Sequence, residues 1–421
     1  MRPLPLLVLG VLLCRLAVAG VVRIEVTERS DVLPSAAAKD APAYERIVGK
    51  AYFAIDPKLP ANRAISDLDL APRNAAGLVE FSSDLYLLQP KDPARGNGTA
   101  LFQVANRGRK DLLVLSNRGT ASNDPRTAAE IGDGFLFAQG FTLVWLGWQF
   151  DIPTQDKLLT HTAPFARDGM QPITGVVRAD FVPDERSTTM TVADRNHLAY
   201  PVAKPDDPAL VLTVRDRRDG PRRTIPRGEW QLDAKRENVI LSAGLEPGRV
   251  YELVYTAQNP VLVGLGSAAI RDLMSHLKQE RTTTGIQRTI AMGSSQSGRF
   301  LRTFLYFGFN QDEKGGRAFD AVWSHVSGAG RGSFNHRFAQ PSRDARPFFN
   351  FFYPTDLFPF TDAAQSDPLS GQNEGLLDRV EKSGTRPKIF YTNGAYEYYG
   401  RTASLIHTTV DGTKDLPPPP D

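Results

Sequence analysis

Three stretches near the N-terminus carry the apolar–polar pattern of strands. Residues 21–26, 46–55 and 78–88 are β-branched or alternating runs, and clusters of Pro, Asn, Asp and Gly separate them. Residues 99–105 and 141–146 are instead short, nearly continuous apolar runs, the pattern of strands buried on both faces. The polar turn Asn106-Arg107-Gly108-Arg109 follows the first, and a helical stretch around 134–139 precedes the second. From about 151 to 260 the chain is polar and β-rich, with hairpin-like spacing. Beyond that the period changes. Leu265, Ala269, Leu273 and Leu277 repeat at helical spacing, residues 286–292 read as a strand, and Phe300, Leu301, Phe304 and Leu305 mark a second helical face. Residues 319–323 and 388–391 read as further strands. Strand alternating with helix predicts an α/β core: a mostly parallel sheet with helices on both faces. The expected division is a β-rich N-terminal part at 20–98, core segments at 99–150 and 260–421, and a β-rich insertion at 151–259.

Composition narrows the function classes. The chain has 421 residues, with 50 Lys plus Arg against 47 Asp plus Glu. A net charge of +3 gives no reason to expect nucleic acid or an anionic membrane as partner. Arg215, Arg217, Arg218, Arg222 and Arg223 flank the turn dipeptide Asp219-Gly220. Interleaved acids favour a solvated hairpin there over a binding patch.

The N-terminus points to export. Arg2, an apolar run at 4–13 and Ala17-Val18-Ala19 make a basic start, a short h-region and a cleavage site, so residues 1–19 are expected to be a signal peptide. The run is too short to span a membrane, which takes about 20 apolar residues. No stable span is expected after cleavage, and the mature protein is expected to be periplasmic or secreted. An uncleaved anchor is the alternative. The only cysteine, Cys14, falls in this segment, so the mature chain has neither disulfide nor thiol nucleophile.

The candidate chemistry centres on Gly293-Ser294-Ser295-Gln296-Ser297-Gly298-Arg299, between a strand-like run and a helical face. A nucleophile on such a sharp strand–helix turn needs small residues two before and two after it. Ser295 has Gly293 and Ser297 there, whereas Ser297 would have Ser295 and the bulky Arg299. Sterics select Ser295. The backbone N–H of Gln296, at the helix start, would supply half of an oxyanion hole. Arg107 or Gly108 would supply the second donor, with an ordinary polar turn as the alternative. Glu397, just past the 388–391 strand, is the candidate acid, with Asp356 and Asp362 as alternatives.

No histidine completes the set. Residues 400–407 read as helix, which carries His407 about 15 Å from Glu397 along the axis and makes it a poor base. His325 and His336 lie between the elbow and the acid, and are more often structural. His161, His197 and His276 show no metal-ligand spacing, so neither metal nor cofactor is expected. The aromatic cluster of Phe348, Phe349, Phe351, Phe352, Tyr353, Phe358 and Phe360 would either line an acyl pocket or pack the core. The proline run at 417–420 reads as a loop leading into one more strand, so a final strand and its histidine loop are expected to be missing.

The elbow, the segment Gly332-Ser333-Phe334-Asn335-His336-Arg337-Phe338, residues 353–362 and residues 397–407 together resemble the bacterial exported "alpha/beta hydrolase domain" family. The resemblance implies an α/β-hydrolase fold and a serine hydrolase acting on small-molecule esters through an acyl-enzyme, with Ser295 as nucleophile and Glu397 as acid. It also implies a histidine beyond the proline run, so this chain is expected to be impaired. The alternative function is a catalytically inactive binding or interaction protein on the same fold.

Overall fold

The computed structural model describes residues 20–32, 41–343 and 355–417. The expected signal segment at 1–19 lies outside these residues, as do Phe348, Phe349, Phe351, Phe352 and Tyr353 of the aromatic cluster.

Eight strands form the path of the central sheet: β1 (Gly20–Asp31), β2 (Tyr44–Ile55), β3 (Val79–Pro90), β4 (Thr99–Gln103), β5 (Thr142–Leu146), β6 (Arg288–Ser294), β7 (Ala321–His325) and β8 (Lys388–Thr392). Their order across the sheet is β1-β2-β3-β5-β4-β6-β7-β8, and a short ninth strand, His161–Thr162, pairs with β3. From β5 through β8 every neighbouring pair is parallel. From β1 to β5 every neighbouring pair is antiparallel.

The sheet is therefore mixed rather than mostly parallel, and the N-terminal strands are part of it. The reason lies in the connections. Among the described residues those between β1, β2 and β3 hold no α-helix, and without a helical crossover a strand returns antiparallel beside its predecessor. β1 is an edge strand with two bulges and charged Arg23, Glu25, Glu28 and Arg29, features that blunt an open edge.

Four helices matter for the site: α1 (Leu112–Asn117), α2 (Leu265–Gln279), α3 (Gln296–Tyr306) and α4 (Ala395–Gly400). The sheet has helices on both faces. Gln103 of β4 accepts the N–H groups of Asp111 and Leu112 at the start of α1 through its Oε1 (3.0 and 2.9 Å). Gln103 stands in register with Met292, so the next residue, Gly293, faces the other side. On that side Ser324 of β7 donates to the Gly298 carbonyl of α3 at 3.1 Å. All residues of α3 are buried, and Phe300 packs 4.3 Å from Trp148 between ring centroids. Burying such a side chain stabilises by roughly 1.5–3 kcal/mol.

Residues between β5 and α2 build two smaller antiparallel sheets. One has four strands in the order Arg223–Ile225, Val211–Arg215, Val250–Gln258, Thr174–Phe181, and the other orders Ser187–Thr191, Asn238–Leu245, Trp230–Leu232. They enclose their own apolar core, with Leu212, Val239, Leu253 and Tyr255 at its centre. The arginine-rich hairpin is neutralised from within: Glu252 pairs with Arg215 at 3.0 Å and with Arg222 at 2.9 Å.

Candidate active site

The strand-to-helix junction puts Ser295 in a conformation a serine rarely adopts, φ 58° and ψ −117°. Its backbone is pinned on both sides. The Ser295 N–H donates to the His325 carbonyl of β7 (2.9 Å), and its carbonyl accepts the Arg299 N–H (3.1 Å). The turn is tight enough to dictate its flanks. A Cβ on Gly293 would lie 2.3 Å from the Ser297 carbonyl oxygen, so only glycine fits. Ser295 itself is half-buried.

Gln296 opens α3, so its N–H belongs to the end of the helix where the dipole favours negative charge. β4 lies beside β6, and the turn that follows β4 reaches the elbow: Asn106 Nδ2 donates to the Ser294 carbonyl at 3.3 Å. Within that turn Arg107 and Gly108 both have positive φ (52° and 77°), and the Arg109 N–H closes it on the Asn106 carbonyl. Two successive positive-φ residues mark a type I′ turn. A Cβ on Gly108 would meet the Leu159 backbone at 2.8 Å.

A buried polar network fixes both oxyanion candidates. Arg107 Nε donates to the Ser342 carbonyl (2.9 Å), and Gln296 Nε2 donates to the Pro341 and Ser342 carbonyls (2.6 and 3.3 Å). Gln149 Nε2 donates to Gln296 Oε1 at 3.0 Å. Asp151 receives both the N–H and the Oγ–H of Ser342 (3.0 and 2.6 Å). It is fully buried, and that burial pushes its carboxyl up to about 6 despite the two donors. Sequence reasoning missed this network. Its only local sign is Gln149 and Asp151, two polar residues just after the apolar run of β5.

Glu397 lies in the first turn of α4, where its Oε2 accepts the Gly394 N–H at 3.0 Å as part of a capping box. Asn393, between β8 and α4, accepts the N–H groups of Ser327 and Gly328 (both 3.1 Å) and ties this end of the sheet to the turn after β7. The alternative acids have other partners. Asp356 is paired with buried Arg401 at 2.8 Å, and Asp362 accepts the Tyr391 hydroxyl at 2.7 Å. Burial beside Asp362 raises that phenol well above its ordinary value.

The expected helix from Gly400 to His407 is interrupted. α4 ends at Gly400, Thr402 takes φ 58°, and a 3₁₀ turn, Ala403–Ile406, brings His407 back onto Tyr398. The Ala329 N–H takes the Arg401 carbonyl (3.1 Å), which diverts the chain from a continuing helix. His407 Nε2 and the Tyr398 hydroxyl are 2.9 Å apart, and its Nδ1 faces Asp415 at 3.3 Å.

The other histidines are placed as follows. His325 ends β7 with Nδ1 at 2.8 Å from Thr392 Oγ1. His336 Nδ1 donates to the Arg337 carbonyl. His161 pairs with Ser83, His197 closes a turn on Asp194, and His276 sits in the last turn of α2. Among the described residues none of the six histidines hydrogen-bonds Ser295 Oγ or Glu397, and no three His, Cys, Asp or Glu side chains gather to hold a metal. No helix among them is long and apolar enough to cross a membrane.

Residues 230–374 match the family model described as "Alpha/beta hydrolase domain", a stretch that includes β6, the elbow and β7. That match joins a sheet order β1-β2-β3-β5-β4-β6-β7-β8 with a strained serine after β6. Over that stretch the chain is similar to the alpha/beta hydrolase domain family. Distant solved structures resemble this chain. They include a glucuronoyl esterase from Solibacter usitatus (14% identity, 76% of this chain and 58% of that one, TM-score 0.27). A putative acetyl xylan esterase from Bacteroides fragilis shares 11% identity over 93% of this chain and 74% of its own, with TM-score 0.30. Brefeldin A esterase, a bacterial homologue of human hormone sensitive lipase, shares 11% identity over 89% and 75%, with TM-score 0.26. The chain thus spans 58% of the length of the first of these. No curated protein sequence matches it.

Proposed function

We propose that this chain is an α/β-hydrolase and acts as a serine hydrolase of carboxylic esters, with Ser295 as nucleophile. The observation that carries the reading is the serine's strained backbone at the strand–helix turn that follows β6, in the parallel part of the sheet. In the proposed reaction Ser295 Oγ attacks the ester carbonyl, and the amides of Gln296 and of Arg107 or Gly108 receive the negative charge. The alcohol departs, and water releases the acid from the acyl-enzyme. Glu397 is the carboxylate proposed to orient the base, and export through residues 1–19 is part of the same proposal. The role of the base falls to none of the six histidines as placed.

Two measurements test this. A fluorophosphonate should label Ser295, located by peptide mass, and p-nitrophenyl butyrate hydrolysis should fall to background in Ser295→Ala. Equal rates in parent and Ser295→Ala end the proposal. Since a serine without a neighbouring base is a weak nucleophile, added imidazole should widen the rate difference between parent and Ser295→Ala.

A second reading is favoured by the same histidine placement: a catalytically silent binding or interaction protein on this fold. Failure of the label, together with equal rates at every imidazole concentration, selects it.

A further inference from the structure

Three cavities on the described surface lie away from Ser295, which lines none of the three. One of about 700 Å³, near the start of β6, is lined by Lys278, Arg317 and Asp320, whose charges are paired with one another. One of about 240 Å³ sets Arg46, Lys50 and Lys110 against Asp84 and Asp124. The third, about 690 Å³, is different. It lies between the short strand His161–Thr162 and the insertion, with Phe150, Phe165 and Tyr200 among its walls. Lys235 and Arg236 line it, and no Asp or Glu does.

Four observations describe what would fit. The volume is in the range of pockets that hold small organic molecules, roughly 300–1,000 Å³. Apolar surface is left open to water there, since Phe165 is 42% and Leu198 is 48% exposed, and both line the cavity. Lys235 and Arg236 are exposed and make no ion pair among the described residues, so the lining carries two uncompensated positive charges. In the same wall, His161 is 4% exposed. Its Nδ1 is held by Ser83 Oγ at 2.8 Å, and its Nε2 has no hydrogen-bond partner among the described residues. Buried polar atoms are nearly always satisfied, and a bound molecule is one way to satisfy this one.

We propose that this cavity is a binding site, separate from the elbow, for a small organic acid: an aromatic or branched hydrocarbon body seated against Phe150, Phe165 and Tyr200, with its carboxylate at Lys235 and Arg236. The body supplies affinity by leaving water, and the two cations select the anion over its neutral counterpart. The site does not depend on Ser295 chemistry.

Isothermal titration of the full chain with 2-naphthoate and with uncharged 2-naphthamide tests it. Naphthoate should bind one-to-one, at least tenfold more tightly than naphthamide, and the preference should shrink as salt is raised. The double variant Lys235→Ala/Arg236→Ala, altered only at exposed positions, should erase the preference and leave naphthamide binding as it was. Thr162→Trp, placed at an exposed position of the cavity wall, should weaken both probes at least tenfold. Absence of binding, equal affinity for the two probes, a preference that survives the double variant, or binding indifferent to Thr162→Trp would each overturn the site.

Discussion

At the scale of single residues, Asp151 shows how a side chain far from Ser295 in sequence bears on the candidate site. Its carboxyl titrates near 3.9 in an unfolded chain and is raised to about 6 by burial in the fold. The folded protein therefore holds its proton to higher pH. Stability from this group is complete below about pH 4 and is lost as pH rises through about 6, a fall of about 3 kcal/mol. Asp151→Asn keeps an acceptor for the two Ser342 donors and cannot ionise. Urea unfolding should show the stability of that variant rising by about 3 kcal/mol relative to the parent between pH 4 and 6, and a difference that does not change with pH would mean that the carboxyl is not the source. Ser295 was legible in the sequence because its requirement is local: a glycine two before, a small residue two after. Asp151 was not, because the Ser342 that gives it a role lies 191 residues away.

Among the elements, the strand–turn–helix of the elbow stores strain. A serine held at positive φ costs about 1–3 kcal/mol, and glycine at the same place costs little. Ser295→Gly is therefore expected to stabilise the protein by about 1 kcal/mol while ester hydrolysis is lost. Chemical denaturation that finds this variant no more stable than the parent would remove strain from the account. The elbow's elements were readable from apolar spacing on either side. The break after α4 was not. Residues 400–407 keep a pattern compatible with helix, yet Arg401 is bound by Asp356 and gives its carbonyl to Ala329. A contact from another part of the chain overrides local propensity there.

Across the whole molecule, acid stability is expected to hang on His161. Burial beside Ser83 holds its pKa down to about 3, against about 6.5 when unfolded, so the native protein keeps the ring neutral. Stability from this group is complete above about pH 6.5 and is lost as pH falls through the window down to about 3, at roughly 1.4 kcal/mol per pH unit. Between pH 4 and 6 the His161 and Asp151 contributions run in opposite directions. His161→Gln should flatten the acid limb while Asp151→Asn steepens it, as read by unfolding midpoints across pH. A His161→Gln limb as steep as the parent's would show that another group governs acid unfolding.

The sequence by itself determined the α/β alternation, the strand and helix flanking the elbow and the candidacy of Ser295, because periodicity and steric fit at neighbouring positions are properties of a short stretch of chain. Tertiary structure alone decided the rest. It set β1, β2 and β3 antiparallel on the same sheet, and it docked the turn after β4 on Ser294, 188 residues from Asn106. It also closed a second core within the insertion and left a positively charged cavity beside it. Each of these depends on which distant segments exclude water together, and no local pattern encodes that pairing.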